Sequence, residues 1–219
     1  MERTKVKKSV IGLKPFSNEE IQAIIDRLVL PETDNDMLAW EKPANFWVPL
    51  ISMFSGMRKS EICQLYKSDV VEQDGVPCIR VTDEKEDQSL KFRSSHRLVP
   101  IHSQLLALGF LRYVDGCQER LFPELKILRG MYSQSWKWFD RNVMRDVSKE
   151  PGKTFSSLRY GVAAQMANAD ITMHLRAPLL GHALPEWDES FIRPPISALR
   201  DAIEKIEYPN VCFPLPYPD

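Results

Sequence analysis

The sequence predicts a mainly α-helical domain carrying one small antiparallel β-sheet, an α+β fold. Three observations lead there. Apolar residues recur at helical spacing near the start of the chain and across most of it after Ser103. Strand-like alternation is confined to residues 77–82 and 98–101. No segment repeats. At 219 residues, 43% hydrophobic and 27% charged, the chain suits one domain with a sizeable core. No apolar run approaches the ~20 residues of a membrane span. The charged N-terminus lacks the apolar stretch of a secretion signal. A cytoplasmic protein is expected, with no membrane contact.

Taken in order, residues 1–14 show no periodicity and read as an arm or linker. The domain is expected over 15–209, followed by a Pro-rich tail, 210–219. Ser17 and Glu20 form a capping box, and Ile21, Ile24, Ile25 and Leu28 follow at helical spacing. Pro31 closes that helix, and a polar loop runs over 32–43. Residues 46–54 are apolar nearly all round, which suggests a buried helix with Pro49 in its first turn or at a kink. Ser55-Gly56 breaks it. A helix restarts over 59–66. The strands at 77–82 and 98–101 come next, joined by a charged connection. Helices are then expected at 103–114, 133–147, 155–168, 172–180 and 196–206. In the last, Ile196, Leu199, Ile203 and Ile206 form one stripe.

Charge bounds function weakly. The net charge is −1, yet residues 1–14 carry Arg3, Lys5, Lys7, Lys8 and Lys14 against Glu2 alone. Lys91, Arg93 and Arg97 fall in a stretch with no acid. A basic face and ordinary solvated lysines both fit. The four cysteines lie far apart, with no CxxC and no histidine at ligand spacing. They read as free thiols in a reducing compartment rather than a zinc site.

Four places carry residues that packing alone would not choose. A buried helix stops at Gly56 and presents Arg58. Lys91 lies in the charged hairpin. Arg159 stands near the start of an apolar helix, where it needs an anionic partner. Gly181-His182 ends another apolar run. Three of them have an ordinary account: Arg58 as a helix-terminal arginine, Lys91 as a solvated lysine, His182 as a capping histidine. Converging on one point, they would make an anion site. Guanidinium forks match phosphate oxygens, and lysine or histidine can give a proton to a leaving oxygen. Such a set could stabilise a phosphoryl transition state without a metal or other cofactor.

The order of these segments resembles the catalytic domain of the tyrosine recombinases, of the phage-integrase type. The matching stretches are FWVPLISMFSGMRKSEICQLYKSDV (46–70), LKFRSSHRLVPIH (90–102), TFSSLRYGVAAQM (154–166), LLGH (179–182) and LRDAIEKIEYP (199–209). The resemblance implies a fold of that catalytic-domain kind. It implies DNA integration or excision within a bacterial or phage-borne mobile element, with double-stranded DNA as partner. Arg58 and Arg159 would clamp the scissile phosphate with His182, and Lys91 would protonate the leaving 5′ oxygen. Glu61 and Asp69 would be supporting acids that orient rather than react. Arg93 and Arg97 join Arg58, Lys91, Arg159 and His182 as expected DNA contacts. A tyrosine would attack phosphorus and form a 3′-phosphotyrosyl ester, so rejoining needs neither ATP nor metal.

Three positions depart from the family pattern, one of them Tyr160, where a histidine often follows the second arginine. The histidine three residues before the second arginine is Ser156. The nucleophile, expected nine residues after His182, is Phe191. Phenylalanine keeps the ring and loses the only atom that could attack phosphorus. Ser156 can donate a hydrogen bond but cannot shuttle a proton near neutral pH. Tyr160, Tyr208 and Tyr217 are the other tyrosines to weigh as nucleophiles. A Tyr→Phe exchange alone also serves to trap a pre-cleavage complex; the second departure at Ser156 exceeds what a trap needs. The family's separate core-binding domain has no counterpart here, which fits an excised catalytic domain or a stand-alone chain.

Three functions follow for comparison. One is a recombinase catalytic domain that is cleavage-defective as written. Another is an inactive integrase-like regulator or accessory protein that binds DNA. The last is an interaction protein that self-associates through its C-terminal segment, 191–219.

Overall fold

The computed structural model describes residues 12–29, 42–92, 95–134, 136–182 and 194–214. Arg93, Phe191, Tyr217, Pro31 and most of the N-terminal arm lie outside the described residues.

Helix α1 (Asn18–Val29) starts on the expected capping box. The Ser17 amide donates to Glu20 at 2.8 Å and the Glu20 amide to the Ser17 hydroxyl at 3.3 Å. Its four apolar residues at helical spacing are all buried. Helix α2 (Pro43–Ser55) is the central element, and every residue from Ala44 to Ser55 is buried. A helix closed off from water on all sides must be apolar all round, and this one nearly is. The Glu124 carboxylate accepts from the Ala44 amide at 2.8 Å and so caps its N-terminus from afar. Pro49 lies inside the helix, because α2 begins earlier than the apolar run suggests.

After α2 come α3 (Lys59–Cys63) and a 3₁₀ turn (Lys67–Asp69). The sheet has three strands, one more than expected: β1 (Val70–Gln73), β2 (Val76–Val81) and β3 (Arg97–Pro100). They run antiparallel in the order β1-β2-β3, with Gln73 opposite Val76 and Val81 opposite Arg97. Asp74 and Gly75, at φ 53° and 74°, form the two-residue left-handed turn that closes β1 on β2.

The helix expected over 103–114 divides into α4 (Ser103–Ala107) and α5 (Phe110–Gly116) at Gly109, whose φ is 87°. The one expected over 133–147 is a 3₁₀ turn (Tyr132–Gln134), a π-helical turn (Phe139–Val143) and α6 (Met144–Val147). The remaining helices keep close to their expected places: α7 (Ser156–Asn168), α8 (Met173–Leu180) and α9 (Ile196–Ile203). Helix α2 packs against α7, α3, α4 and α1, and α9 closes over β3 and α8.

The described part of the tail folds back on the domain. The Tyr208 hydroxyl donates to the Met53 carbonyl at 2.9 Å, and the Phe213 ring lies 5.3 Å from that of Phe54. The Cys212 amide donates to Gln22 Oε1 at 2.6 Å, and Gln22 Nε2 donates to the Cys212 carbonyl at 3.3 Å. All four cysteines are free thiols; burial pushes Cys63 up to about 12. Among the described residues no helix is long and apolar enough to cross a membrane.

Candidate functional site

Two helices end at left-handed glycines, and the site is built on those two ends. Helix α2 ends at Gly56 (φ 64°), whose amide donates to the Ser52 carbonyl at 3.0 Å. Helix α8 ends at Gly181 (φ 62°). There the His182 amide reaches the Ala177 carbonyl at 2.9 Å and the Gly181 amide reaches Pro178 at 3.3 Å. These backbone bonds satisfy the carbonyls of Ala177 and Pro178. The next three take one arginine each. Arg97 Nε donates to Leu179 at 3.0 Å, Arg159 Nη2 to Leu180 at 2.6 Å and Arg58 Nη2 to Gly181 at 3.1 Å. The negative end of a helix thus gathers three guanidinium groups around it.

Glycine is required at both ends for space as well as for φ. A Cβ on Gly181 would lie 2.7 Å from Arg97 Nη1 and 3.3 Å from Arg58 Nη1. One on Gly56 would lie 2.7 Å from Leu180 Cδ2 and 3.0 Å from Val162 Cγ1. The first glycine makes room for the arginines; the second lets α2 close on α7 and α8.

Glu61, 3% exposed, is the carboxylate of the cluster. Its Oε1 accepts from Arg58 Nη1 at 2.6 Å and Arg97 Nη1 at 3.2 Å. Its Oε2 accepts from Arg97 Nη2 at 2.7 Å and the Arg58 amide at 2.9 Å. Burial would raise this carboxyl, but the bonds and charge of Arg97, then the bonds from Arg58, hold it below its ordinary value. Two guanidiniums, those of Arg58 and Arg97, therefore share one buried carboxylate.

Arg159 comes from the first turns of α7 and bridges both helix ends. Its Nη1 donates to the Gly56 carbonyl at 2.5 Å, and its Nη2 also lies 3.0 Å from His182 Nε2. Burial, then the charges of Arg58 and Arg97, lower its pKa to about 10, so it stays charged at neutral pH. Burial and the same three arginines, Arg159 foremost, push His182 below the ordinary histidine value. His182 is then neutral at pH 7. An arginine N–H can only donate, so Nε2 accepts and the ring proton is assigned to Nδ1.

The other expected site residues are dispersed around this centre. Ser156 is exposed on the first turn of α7, one turn before Arg159. Lys91 is exposed on the β2–β3 connection, its ammonium 5.2 Å from the Phe92 ring and not bonded to the cluster. Asp69 is buried and accepts from the Tyr66 amide at 2.9 Å and Gln88 Nε2 at 2.8 Å, tying that connection to the end of α3. Tyr208 is held by the Met53 carbonyl, which leaves its hydroxyl a structural role. Arg97, one of the expected DNA contacts, is enclosed by the protein. Its side chain is 4% exposed and is bonded to Glu61, Leu179 and the Ser95 carbonyl.

One cluster was not anticipated. Asp87 accepts from the Tyr66 hydroxyl at 2.7 Å, from the Tyr132 hydroxyl and from Arg120 Nη1 at 3.0 Å. The Arg120 guanidinium stacks 3.5 Å from the Tyr132 ring. The partners come from segments far apart in the chain, so no local spacing announces them. Among the described residues no group of three or more His, Cys, Asp or Glu side chains is placed to hold a metal ion.

No family model matches the chain, and no curated protein matches it in sequence. Solved structures do. The integrase of mycobacterium phage Brujita superposes with a TM-score of 0.61 at 17% identity, over 98% of this chain and 64% of the integrase. The site-specific recombinase XerH, bound to its difH substrate before cleavage, gives 0.54 at 18% identity over 79% of this chain and 48% of XerH. XerH bound to palindromic difH after cleavage gives 0.50 at 18% identity, over 78% and 47%. In each comparison the chain spans less than two thirds of the other protein's length. The likeness is one of fold: mostly helical with a three-stranded antiparallel sheet, as in the tyrosine-recombinase catalytic domain.

Proposed function

We propose that this chain is a duplex-DNA-binding domain of the phage-integrase type that grips a phosphodiester with its arginine cluster and does not break the strand itself. One observation carries the reading: Arg58 and Arg97 share a single carboxylate, Glu61, while Arg159 beside them bonds the Gly56 and Leu180 carbonyls and His182, so the partly buried centre holds positive charge in excess. A phosphate diester supplies the missing negative charge. Of the five N–H donors on a guanidinium, Arg58 commits two within the protein and Arg159 three. The remaining donors, with Nδ1–H of His182, are those that would face the anion.

The shared fold supports DNA as the source of that phosphate, since XerH is a recombinase bound to a DNA substrate. On the same reading Lys91 is the general acid on its exposed connection, and Ser156 is a hydrogen-bond donor where the family has a proton shuttle. Phe191 at the nucleophile position removes the hydroxyl, so no 3′-phosphotyrosine forms. The two losses together, at Ser156 and Phe191, equally favour a second reading: an integrase-like regulator or accessory protein that binds DNA and never cleaves it.

The test has two arms. Wild-type chain should bind duplex DNA with an affinity that falls steeply with salt, and Arg58→Ala or Arg159→Ala should lower the log–log salt slope by about one each. Salt-independent binding, or slopes unmoved by both variants, would remove the phosphate site. In the second arm a nicked attachment-site duplex is incubated with wild type, Phe191→Tyr, and Phe191→Tyr with Ser156→His. A denaturant-resistant adduct from wild type would overturn the cleavage-defective reading. An adduct only after tyrosine is restored supports a recombinase site that lacks one oxygen. Binding with no adduct from any of the three favours the regulator.

A further inference from the structure

The three arginines are not equivalent, and the difference assigns Arg97 a role of its own. Arg58 retains unused donors and is 23% exposed; Arg97 has four of its five donors committed and is 4% exposed. It projects from the first residue of β3, the strand that ends the Lys91 connection, into the gap between Glu61 and the end of α8. On Glu61 it engages both oxygens, the same two that hold the backbone and side chain of Arg58. It also packs against Gly181, which leaves its guanidinium beside that of Arg58.

We infer that Arg97 is a positioning residue: it never touches the bound anion, and by dividing the Glu61 carboxylate and bonding the α8 terminus it sets where Arg58 points. The inference rests on the phosphate-site reading given above. Two physical points support it. A carboxylate left with Arg58 alone would draw more of that guanidinium's donors inward and away from an anion. Two like charges side by side over Gly181 also hold each other apart, so that the buried one directs the exposed one outward. Lysine could not replace Arg97, because one ammonium cannot hold both oxygens of Glu61, the Leu179 carbonyl and the Ser95 carbonyl at once.

The experiment compares wild type, Arg97→Lys, Arg97→Met and Arg97→Met with Glu61→Gln in the full chain, binding a short duplex across a salt series. A group that touches phosphate lowers the salt slope by about one when removed. A positioning group lowers affinity and leaves the slope alone. We expect both single variants to bind about tenfold more weakly or worse, the scale on which loss of an orienting partner is felt at metal sites. Their slopes should equal that of wild type. The double variant should regain part of the loss, because the neutral amide introduced by Glu61→Gln no longer pulls on Arg58.

A slope reduced by about one would make Arg97 a contact and overturn the inference. So would undiminished affinity in both single variants. A loss that tracks thermal stability and is not relieved by Glu61→Gln would mark Arg97 as merely structural. If Arg97→Met does not fold, Arg97→Lys keeps the charge in the pocket and decides alone. If wild type shows no salt-dependent DNA binding, the phosphate-site reading fails by itself. The inference is then read from the guanidinium ¹⁵N–¹H signals of the free protein. Those of Arg58 should shift or exchange faster in Arg97→Lys while those of Arg159, held by Gly56 and Leu180, stay in place. Unmoved Arg58 signals would sink it.

Discussion

A histidine beside three arginines is a proton site waiting for a counter-charge. His182 is held below its ordinary pKa by burial and by Arg159, Arg58 and Arg97, and among the described residues no carboxylate is bonded to it. In the free protein the sign is that of a depressed base. The unfolded chain takes the proton first, so stability is full above the ordinary histidine range and declines as pH falls through it. An anion bound at the cluster reverses the local field and raises the pKa. Binding then takes up a proton, and affinity must rise as pH falls from above the bound-state pKa toward the free one. The limit is about tenfold per pH unit for a single proton, since one proton linked to binding can change the constant no faster. Anisotropy titrations of duplex DNA at fixed salt between neutral and mildly acid pH should show this gain, and His182→Gln should remove it. Equal pH dependence in the variant would mean that the linked proton is not on His182. The sequence announced His182 through the glycine before it and Arg159 through its apolar helix. It could not announce the acceptors that orient the arginines, because carbonyls 179–181 are backbone and every residue has one.

Elements carry these residues, and the β2–β3 connection is the one whose order matters most, because Lys91 rides on it. Read as a charged loop, it has no reason to be ordered. The structure supplies one. Asp87 is clamped by Tyr66, Tyr132 and Arg120, while Gln88 bridges the Asp69 carboxylate and the Gln64 carbonyl. Burial would raise the Asp87 carboxyl, but the bonds from Tyr132 and Tyr66 and the charge of Arg120 keep it low. Asp87→Asn should therefore loosen the connection at a cost of about 1.5–3 kcal/mol, the usual worth of hydrogen bonds to a charged group. Hydrogen exchange over 83–92 should accelerate while that of α2 is unchanged; equal rates in variant and wild type would mean that the connection is ordered by something else. The same element shows why sequence reading succeeded where it did. Helix α1 carries an apolar stripe that opens on a capping box, and α8 ends at a glycine; both, with α7, appeared almost where expected. Strand β1 was missed because it is four residues long and none of its side chains is fully buried, so it shows little alternation. The break at Gly109 was hidden inside helical periodicity, since a glycine at φ 87° interrupts a stripe without disturbing its spacing.

At the scale of the whole molecule the question is whether the C-terminal segment serves its own domain or a neighbour. The sequence leaves two readings of 191–219 open, self-association or an ordinary C-terminal helix packed in cis. Within that segment, residues 194–214 are engaged in cis: α9 closes over β3 and α8, His102 Nε2 lies 3.1 Å from the Ile206 carbonyl, and the Glu204 carboxylate accepts from the Ser103 amide at 2.7 Å. Beyond α9, Tyr208 and Phe213 pack with Phe54 at the end of α2, the helix that presents Arg58, and Gln22 holds Cys212 against α1. The tail thus braces the end of α2, beside which the arginine cluster is built. A tail docked in cis is a unimolecular contact, so its contribution to stability cannot depend on protein concentration. A tail exchanged between copies would stabilise by mass action, and the unfolding midpoint would climb with concentration. We expect a midpoint that is constant across dilutions. Phe213→Ala should cost about 1–3 kcal/mol, below the ~3–5 of a fully buried phenylalanine because this ring is only half-buried. That corresponds to a fall of about 2–4 °C per kcal/mol in a domain of this size. Weaker DNA binding should accompany it if the brace reaches Arg58. Differential scanning calorimetry across a dilution series, on wild type and Phe213→Ala, decides the point. A midpoint that rises with concentration in wild type and loses that rise in the variant would show the aromatic tail to be shared between copies, and the cis packing of 207–214 would be one of two arrangements available to it.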